Sequence, residues 1–159
     1  MKKNESGRSM GEMLGVLAII GVLSVGGIAG YTMAMNRYRA NEIIDSANKY
    51  AVIAYSAYMT AKMMHNGDNA KGLAAVPVFK DTGLFGSNSK VNGAKIEIAA
   101  TNGVDETGVK MVLTFTDAGK KTCQAAATSL GILATADSNG SVASCGSTPP
   151  TITYKYTQS

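Results

Sequence analysis

The apolar and polar residues of this 159-residue chain are distributed unevenly along its length. After Glu12 no charged residue occurs until Arg37, and residues 13–35 form a nearly unbroken apolar run. A helix of roughly 20 apolar residues crosses the hydrocarbon core of a bilayer. The pattern therefore predicts an apolar helix that is long enough to span a membrane.

From residue 37 onward the pattern becomes that of an amphipathic helix. Apolar side chains recur at steps of three and four residues, and polar side chains fill the opposite side. The apolar set consists of Ile43, Ile44, Ala47, Ala51, Ala54, Tyr55, Tyr58 and Met59. A helix stop is predicted at residues 66–69, where Asn, Gly and Asp cluster. A helix that continued from residue 13 to residue 65 would extend well beyond a bilayer, so its second half should pack on the rest of the chain.

The remaining residues predict a small antiparallel sheet and a short helix. Alternating β-branched and apolar residues predict three strands, at residues 95–101, 109–116 and 151–156. The first two strands, joined by a turn at residues 102–108, should form a hairpin, and residues 67–94 should be an irregular connection. Asp117 is expected to cap a helix over residues 118–130 that Gly131 ends. The predicted fold class is α+β, with a long N-terminal helix, apolar and then amphipathic, packed on the sheet.

Composition narrows the class of protein. Charged residues make up 16% of the chain, against about 25% of an average soluble domain, and the apolar run accounts for much of the difference. The net charge of +4 is mild and spread along the chain, whereas nucleic-acid-binding proteins concentrate Lys and Arg on one face. An ordinary cytosolic enzyme and a nucleic-acid-binding protein are therefore both disfavoured.

The amino-terminal segment carries a specific motif. A short basic leader ends at Gly7, Arg8 follows, Glu12 stands five positions after Gly7, and the string Leu-Ala-Ile-Ile-Gly begins at Leu17. This segment resembles the cleavage and assembly signature of the type IV pilin superfamily. Two other interpretations remain. One is a secretory signal peptide, whose apolar core is usually only about 7–15 residues long. The other is an uncleaved anchor with its basic end in the cytoplasm.

The resemblance implies a precursor of three parts. These are a cleaved leader over residues 1–7, an apolar transmembrane and filament-core helix over residues 8–36, and a periplasmic globular pilin domain over residues 37–159. A prepilin peptidase would cut between Gly7 and Arg8. The first mature residue of the family is usually Phe, Met or Leu and is usually methylated. Arg8 departs from that pattern, so its methylation stays an open question.

Glu12 is the residue to which the resemblance gives a role in assembly. A carboxylate in hydrocarbon costs about 3 kcal/mol or more unless it is paired. The resemblance implies that Glu12 pairs with the amino terminus of an adjacent subunit in a helical filament of identical chains. The implied partners are the prepilin peptidase, the inner-membrane pilus assembly machinery and, before assembly, membrane lipid. The chain would cross the inner membrane once and later enter a cell-surface fimbrium.

Five glycines interrupt the apolar run. Small residues let helices approach closely in a membrane, and Gly26 and Gly30 have the spacing of a packing face. Glycine also weakens a helix by about 1 kcal/mol relative to alanine. We therefore expect Gly26, Gly27 and Gly30 to mark both a packing surface and a place where the helix loosens.

Cys123 and Cys145 are the only cysteines in the chain. Two free thiols would be expected in a cytosolic protein, but the exported domain implied by the resemblance makes a disulfide the expected state. It would bound a C-terminal region, and this arrangement resembles the type IVb branch of the pilins. Closing such a loop stabilises a fold by about 3 kcal/mol on the chain-entropy account.

The sequence offers no residue set for catalysis, for a cofactor or for a metal ion. His65 is the sole histidine and is expected at the surface, so no Ser-His-Asp or Cys-His set can be assembled. We therefore expect a structural subunit with no cofactor, and not an enzyme. Two alternatives stay open. In the first, the chain would be a type II secretion pseudopilin or a minor pilin. In the second, it would be a membrane-anchored binding module that does not polymerise.

Overall fold

The computed structural model describes residues 6–64, 90–99, 104–105, 108–135 and 140–157. It contains two helices, α1 (Ser6–Met64) and α2 (Gly119–Leu130). The strands are β1 (Lys90–Val91), β2 (Ala94–Ile98), β3 (Val104–Asp105), β4 (Gly108–Thr114), β5 (Val142–Ser144) and β6 (Thr151–Tyr156). The predicted helix stop at residues 66–69, His65 and most of the predicted connection over residues 67–94 lie outside the described residues.

The chain divides into two compact units, Met1–Met35 and Asn36–Ser159. The first, which we call the apolar unit, consists in its described part of the first half of α1. The second, which we call the globular unit, contains the rest of α1, the sheet and α2.

The backbone of the apolar unit is helical through all of its glycines. The helix continues without interruption across Gly26, Gly27 and Gly30. The expected loosening at these positions is therefore wrong. Each glycine lowers helix stability only slightly, and the cooperative hydrogen bonding of a long helix maintains the backbone on both sides of it.

The sheet of the globular unit is antiparallel in every pairing. Its strand order is β1-β2-β4-β6-β5, and β3 pairs with β4 alone. Ile96, Leu113, Ile152 and Ala143 stand opposite one another on neighbouring strands and form one buried row across the sheet. Because side chains alternate between the faces of a strand, this row marks the face that is covered by helix.

The second half of α1 shares one buried core with that face of the sheet. Its buried residues follow steps of three and four and are Ala40, Ile43, Ala47, Ala51, Ala54 and Tyr58. Ile44, Tyr55 and Met59 lie at the edge of the same core. The predicted amphipathic helix is thus confirmed, and with it the α+β class and the packing of a long helix on a small antiparallel sheet.

The strand predictions were correct in kind and less accurate in extent. The final strand, β6, has the predicted bounds, and β2 and β4 form the predicted hairpin but end two or three residues earlier than expected. Three short strands were missed: β1 in the predicted connection, β3 in the predicted turn, and β5 between α2 and β6. Each has only two or three residues, too few for a period of two to be recognised.

The predicted N-cap of α2 is wrong, whereas the predicted C-terminal end is right. Ala118 is the N-cap residue, and no side chain caps the helix. The backbone N–H groups of Asp117 and Ala118 both donate to the carbonyl of Gly93, at 2.9 and 3.0 Å, and the Asp117 carboxylate accepts from Lys90 Nζ at 2.9 Å. Gly131 does end the helix, with a φ of 67° that favours glycine.

Candidate functional site

The exposed apolar surface of α1 is the principal candidate site. From Met10 to Met33, the exposed fraction of each large apolar side chain lies between 53% and 74%. One stretch of 18 residues has a mean hydropathy of 2.2 and no buried residue. By length and composition this helix is able to cross a membrane. Monomeric soluble proteins rarely expose a continuous apolar surface of this extent, so the surface requires a partner other than water.

Two hydroxyl groups within this surface are satisfied by the helix itself. Ser24 Oγ donates to the Ile20 carbonyl at 2.8 Å, and Thr32 Oγ1 donates to the Ala29 carbonyl at 2.9 Å. A polar group without a hydrogen bond is costly in hydrocarbon. The local bonds therefore make both residues compatible with an apolar environment.

The predicted packing glycines are open to the outside. A methyl group built on Gly26 or Gly30 would meet no atom within 4 Å beyond the neighbouring backbone, and the same holds for Gly15 and Gly21. The described part of the chain therefore places nothing on these positions. A helix from another molecule has room to approach the backbone there.

Glu12 is exposed and lies in the second turn of α1, at the start of the apolar surface. Among the residues whose side chains the structure describes, none forms an ion pair or hydrogen bond with it. The backbone of Gly7 and Arg8 lies in the first turn of α1. The structure thus places the backbone of the predicted cleavage positions and Glu12 on one short helical segment. The cleavage itself and the pairing of Glu12 with a neighbour's amino terminus stay predictions.

The structure contains the expected disulfide. Cys123 on α2 is bonded to Cys145 in the turn after β5, with the two Cα atoms 5.7 Å apart. Cys123 is fully buried. The link joins α2 to the segment that leads into β6, so the last strand of the chain is tied to the core through a second element.

Polar contacts between α1 and the rest of the globular unit were not anticipated from the sequence. Tyr154 Oη donates to Asn48 Oδ1 at 2.9 Å, and Asn92 donates to the Glu42 carboxylate. Burial raises the pKa of the Tyr154 phenol above its ordinary value, and the nearby Tyr156 raises it further. The sequence contained one indication of the contact between Tyr154 and Asn48. This was an Asn at the edge of the buried face of an amphipathic helix.

The described part of the chain offers no group of side chains for a metal ion and no free thiol. There, His, Cys, Asp and Glu form no group of three or more that could hold a metal ion, and the two cysteines are consumed by the disulfide. No known protein family, curated protein or solved structure matches the chain. The function must therefore be argued from the exposed helix and its flanking residues.

Proposed function

We propose that this chain is a structural subunit of a bacterial surface filament of the type IV pilus kind, made as a precursor that a prepilin peptidase cuts after Gly7. The observation that carries the proposal is the contrast between the two halves of α1. The second half is packed on the chain's own sheet, whereas nothing in the described chain covers the first half. Such a helix needs partners outside its own chain.

Lipid is the first proposed partner of the apolar unit. Its length, its hydropathy and the internal bonds of Ser24 and Thr32 suit a bilayer. In the proposed topology the leader lies in the cytoplasm, where the peptidase can reach it, and the globular unit lies in the periplasm. The inner-membrane assembly machinery then extracts the subunit.

Copies of the same helix are the second proposed partner. Exposed apolar side chains and the open pair Gly26 and Gly30 allow helices to bundle with close backbone contact. The core of the filament would therefore keep these helices away from water, as the bilayer does before assembly. The same surface serves both environments, and the globular unit is carried to the outside of the filament.

Glu12 would set the position of each added subunit. Cleavage after Gly7 creates a new α-amino group on Arg8, so the mature terminus carries two positive charges. A buried carboxylate is strongly destabilising without a partner and is accepted when paired. Pairing Glu12 with the terminus of a neighbour therefore favours one register of the bundled helices over others.

The experiment that tests this proposal is the substitution Glu12→Ala in the organism that makes the filament. We expect normal amounts of chain in the membrane fraction and a loss of sheared filaments, because insertion depends on the apolar run and assembly depends on the charge pair. The matched control is Asp45→Ala, which removes an exposed carboxylate from the same helix and breaks its surface ion pair with Lys49.

The control variant should assemble normally. Filament formation by Glu12→Ala at the parent's level would exclude the assembly role of Glu12. A parent chain that stays in the membrane as single copies, even with the assembly machinery present, would instead favour the anchored binding module.

A further inference from the structure

Two arginines stand at the start of the globular unit, immediately after the apolar run. Arg37 and Arg39 are the second and fourth residues after Met35, and both are exposed. At 1.5 Å per residue, they lie within about 6 Å of the end of the run along the helix axis. Helical spacing places them on either side of the face that bears Asn36 and the buried Ala40.

The first turn of α2 comes to the same place. Thr122 Oγ1 lies 3.4 Å from Asn36 Oδ1, and Ser129 Oγ donates to Asn41 Oδ1 at 3.2 Å. The two contacts follow the same order along both helices, so α2 runs in the same direction as this part of α1. Its N-terminus is therefore at the Asn36 end.

Two lysines of α2 complete the group. Lys120 and Lys121 directly precede Thr122, and both are exposed. We call the four residues Arg37, Arg39, Lys120 and Lys121 the basal cations. Because Thr122 contacts Asn36, all four lie at the end of the globular unit where the chain enters it at residue 36.

The basal cations are not neutralised within the described part of the chain. None of the four forms an ion pair or a side-chain hydrogen bond there. The carboxylates closest to them in sequence already have partners, since Asp117 pairs with Lys90 and Glu42 accepts from Asn92. The basal surface therefore presents an excess of positive charge.

Position and charge together define the partner. The headgroup layer of a bilayer begins where an apolar span ends, and basic residues beside a span attract anionic headgroups. The amide groups of the first turn of α2 are not capped by a side chain, and uncapped amides at a helix N-terminus favour phosphate oxygens.

We propose that the basal cations form a docking surface for the headgroups of anionic phospholipids, so that the globular unit rests on the membrane before assembly. This inference rests on the membrane insertion of the apolar run that is part of the proposed function, and it does not depend on filament formation.

The test is hydrogen exchange of the full chain in lipid nanodiscs. The amides of residues 119–121 have no acceptor within α2 and exchange fast unless something covers them. Discs of phosphatidylcholine alone are compared with discs in which about a third of the lipid is phosphatidylglycerol. We expect slower exchange of these amides in the anionic discs, and recovery of fast exchange in about 1 M salt, which shortens the Debye length to about 3 Å.

The double variant Lys120→Gln/Lys121→Gln assigns the effect to the basal cations. Each cation near an anionic surface contributes about fivefold in affinity, so the variant should bind about 25-fold more weakly and lose the protection. The matched control is Lys110→Gln/Lys155→Gln, which removes the same charge from a cross-strand pair on the sheet face that points away from α1. The control should keep the protection.

Several outcomes would overturn the proposal. These are equal protection in both kinds of disc, protection that survives in the Lys120→Gln/Lys121→Gln variant, and equal protection by inorganic phosphate in discs of phosphatidylcholine. Protection only after assembly into filaments would assign the surface to a second copy of the chain. In every arm, protected amides at residues 13–35 report insertion, so a failure of docking is distinguished from a failure to enter the membrane.

Discussion

The phenol of Tyr154 lies beneath α1, with 6% of the residue exposed. Its hydroxyl donates to Asn48 Oδ1 and so joins β6 to the helix. Burial is the main cause that raises its pKa, since an ionised phenolate would lose its hydration there. The folded chain therefore keeps this phenol neutral at pH values at which an unfolded chain would release its proton.

This difference predicts a pH dependence of stability. An unfolded Tyr ionises near pH 10, and the raised pKa of Tyr154 makes the folded state hold its proton to a higher pH. Its contribution to stability is complete below about pH 10 and falls above it, by up to about 1.4 kcal/mol per pH unit. The free energy of unfolding of the parent and of Tyr154→Phe in detergent, measured by urea denaturation from pH 8 to pH 11, checks this.

We expect Tyr154→Phe to cost about 1 kcal/mol at pH 8 because it removes a hydrogen bond, and to lose part of the parent's decline in stability above pH 10. Tyr38→Phe, which removes an exposed phenol and leaves the Asn48 bond in place, should keep that decline. An equal alkaline decline in the parent and in Tyr154→Phe would show that the buried phenol does not carry it.

The role of a single residue could be predicted from the sequence where it depends on neighbouring residues. It could not be predicted where it depends on contacts with residues far away in the sequence. Gly131 ends α2 because a left-handed residue is needed there, and that signal is present in the sequence. Asp117 has the side chain of a good cap, yet its backbone is bound to Gly93 and its carboxylate to Lys90. Both partners lie more than 20 positions away in the sequence, so no local pattern could have indicated them.

At the scale of elements, α1 is one helix with two different surfaces. Steps of three and four in the sequence predicted which side of its second half is buried, and the core contains that side. The spacing could not reveal the polar bonds at the edge of the contact, because they depend on the register between helix and sheet. Short strands such as β1, β3 and β5 were missed for a related reason, since longer neighbours determine their pairing.

Shortening a side chain to alanine should lower the stability more on the buried side of α1 than on its exposed side. Ile43 is fully buried, whereas 42% of Ile53 is exposed on the same helix. Ile43→Ala should destabilise the globular unit by about 2–5 kcal/mol, because it leaves a cavity in the core. Ile53→Ala is the matched control and should cost about 1 kcal/mol or less. Urea denaturation measures both, and equal losses would contradict the assignment of the buried side.

The open glycines of the apolar unit predict an effect on association without an effect on folding. A Cβ atom at Gly26 or Gly30 meets no atom of the described chain within 4 Å, so the monomer with leucine at both positions should fold and insert normally. Close approach of a second helix would be blocked, at a cost of about 1–3 kcal/mol per site, which weakens association by about tenfold or more.

Crosslinking of the full chain in detergent or lipid measures this association. Gly21→Leu is the control, since Gly21 lies on a different side of the helix from Gly26 and Gly30. Association that survives leucine at both Gly26 and Gly30, but is lost in Gly21→Leu, would place the packing face elsewhere.

For the whole molecule, the decisive property is an apolar helical surface that the described chain does not cover. The sequence predicted that surface through the long gap between charges, and the structure shows the same residues exposed. The fold therefore followed largely from periodicity. The partner did not, because an exposed apolar helix suits lipid, a neighbouring helix or both. The positions of Gly7 and Glu12 add to the exposed helix the reason to propose a filament.

The mass of the mature amino terminus tests the central claim most directly. Mass spectrometry of chain isolated from the producing cell should find a terminus at Arg8, with or without an added methyl group, because the proposed peptidase cuts after Gly7. A chain that still begins at Met1 would contradict processing as a prepilin. A terminus near Ala29 would show that the apolar run is removed as a signal peptide, and the account of the helix as a filament core would then be wrong.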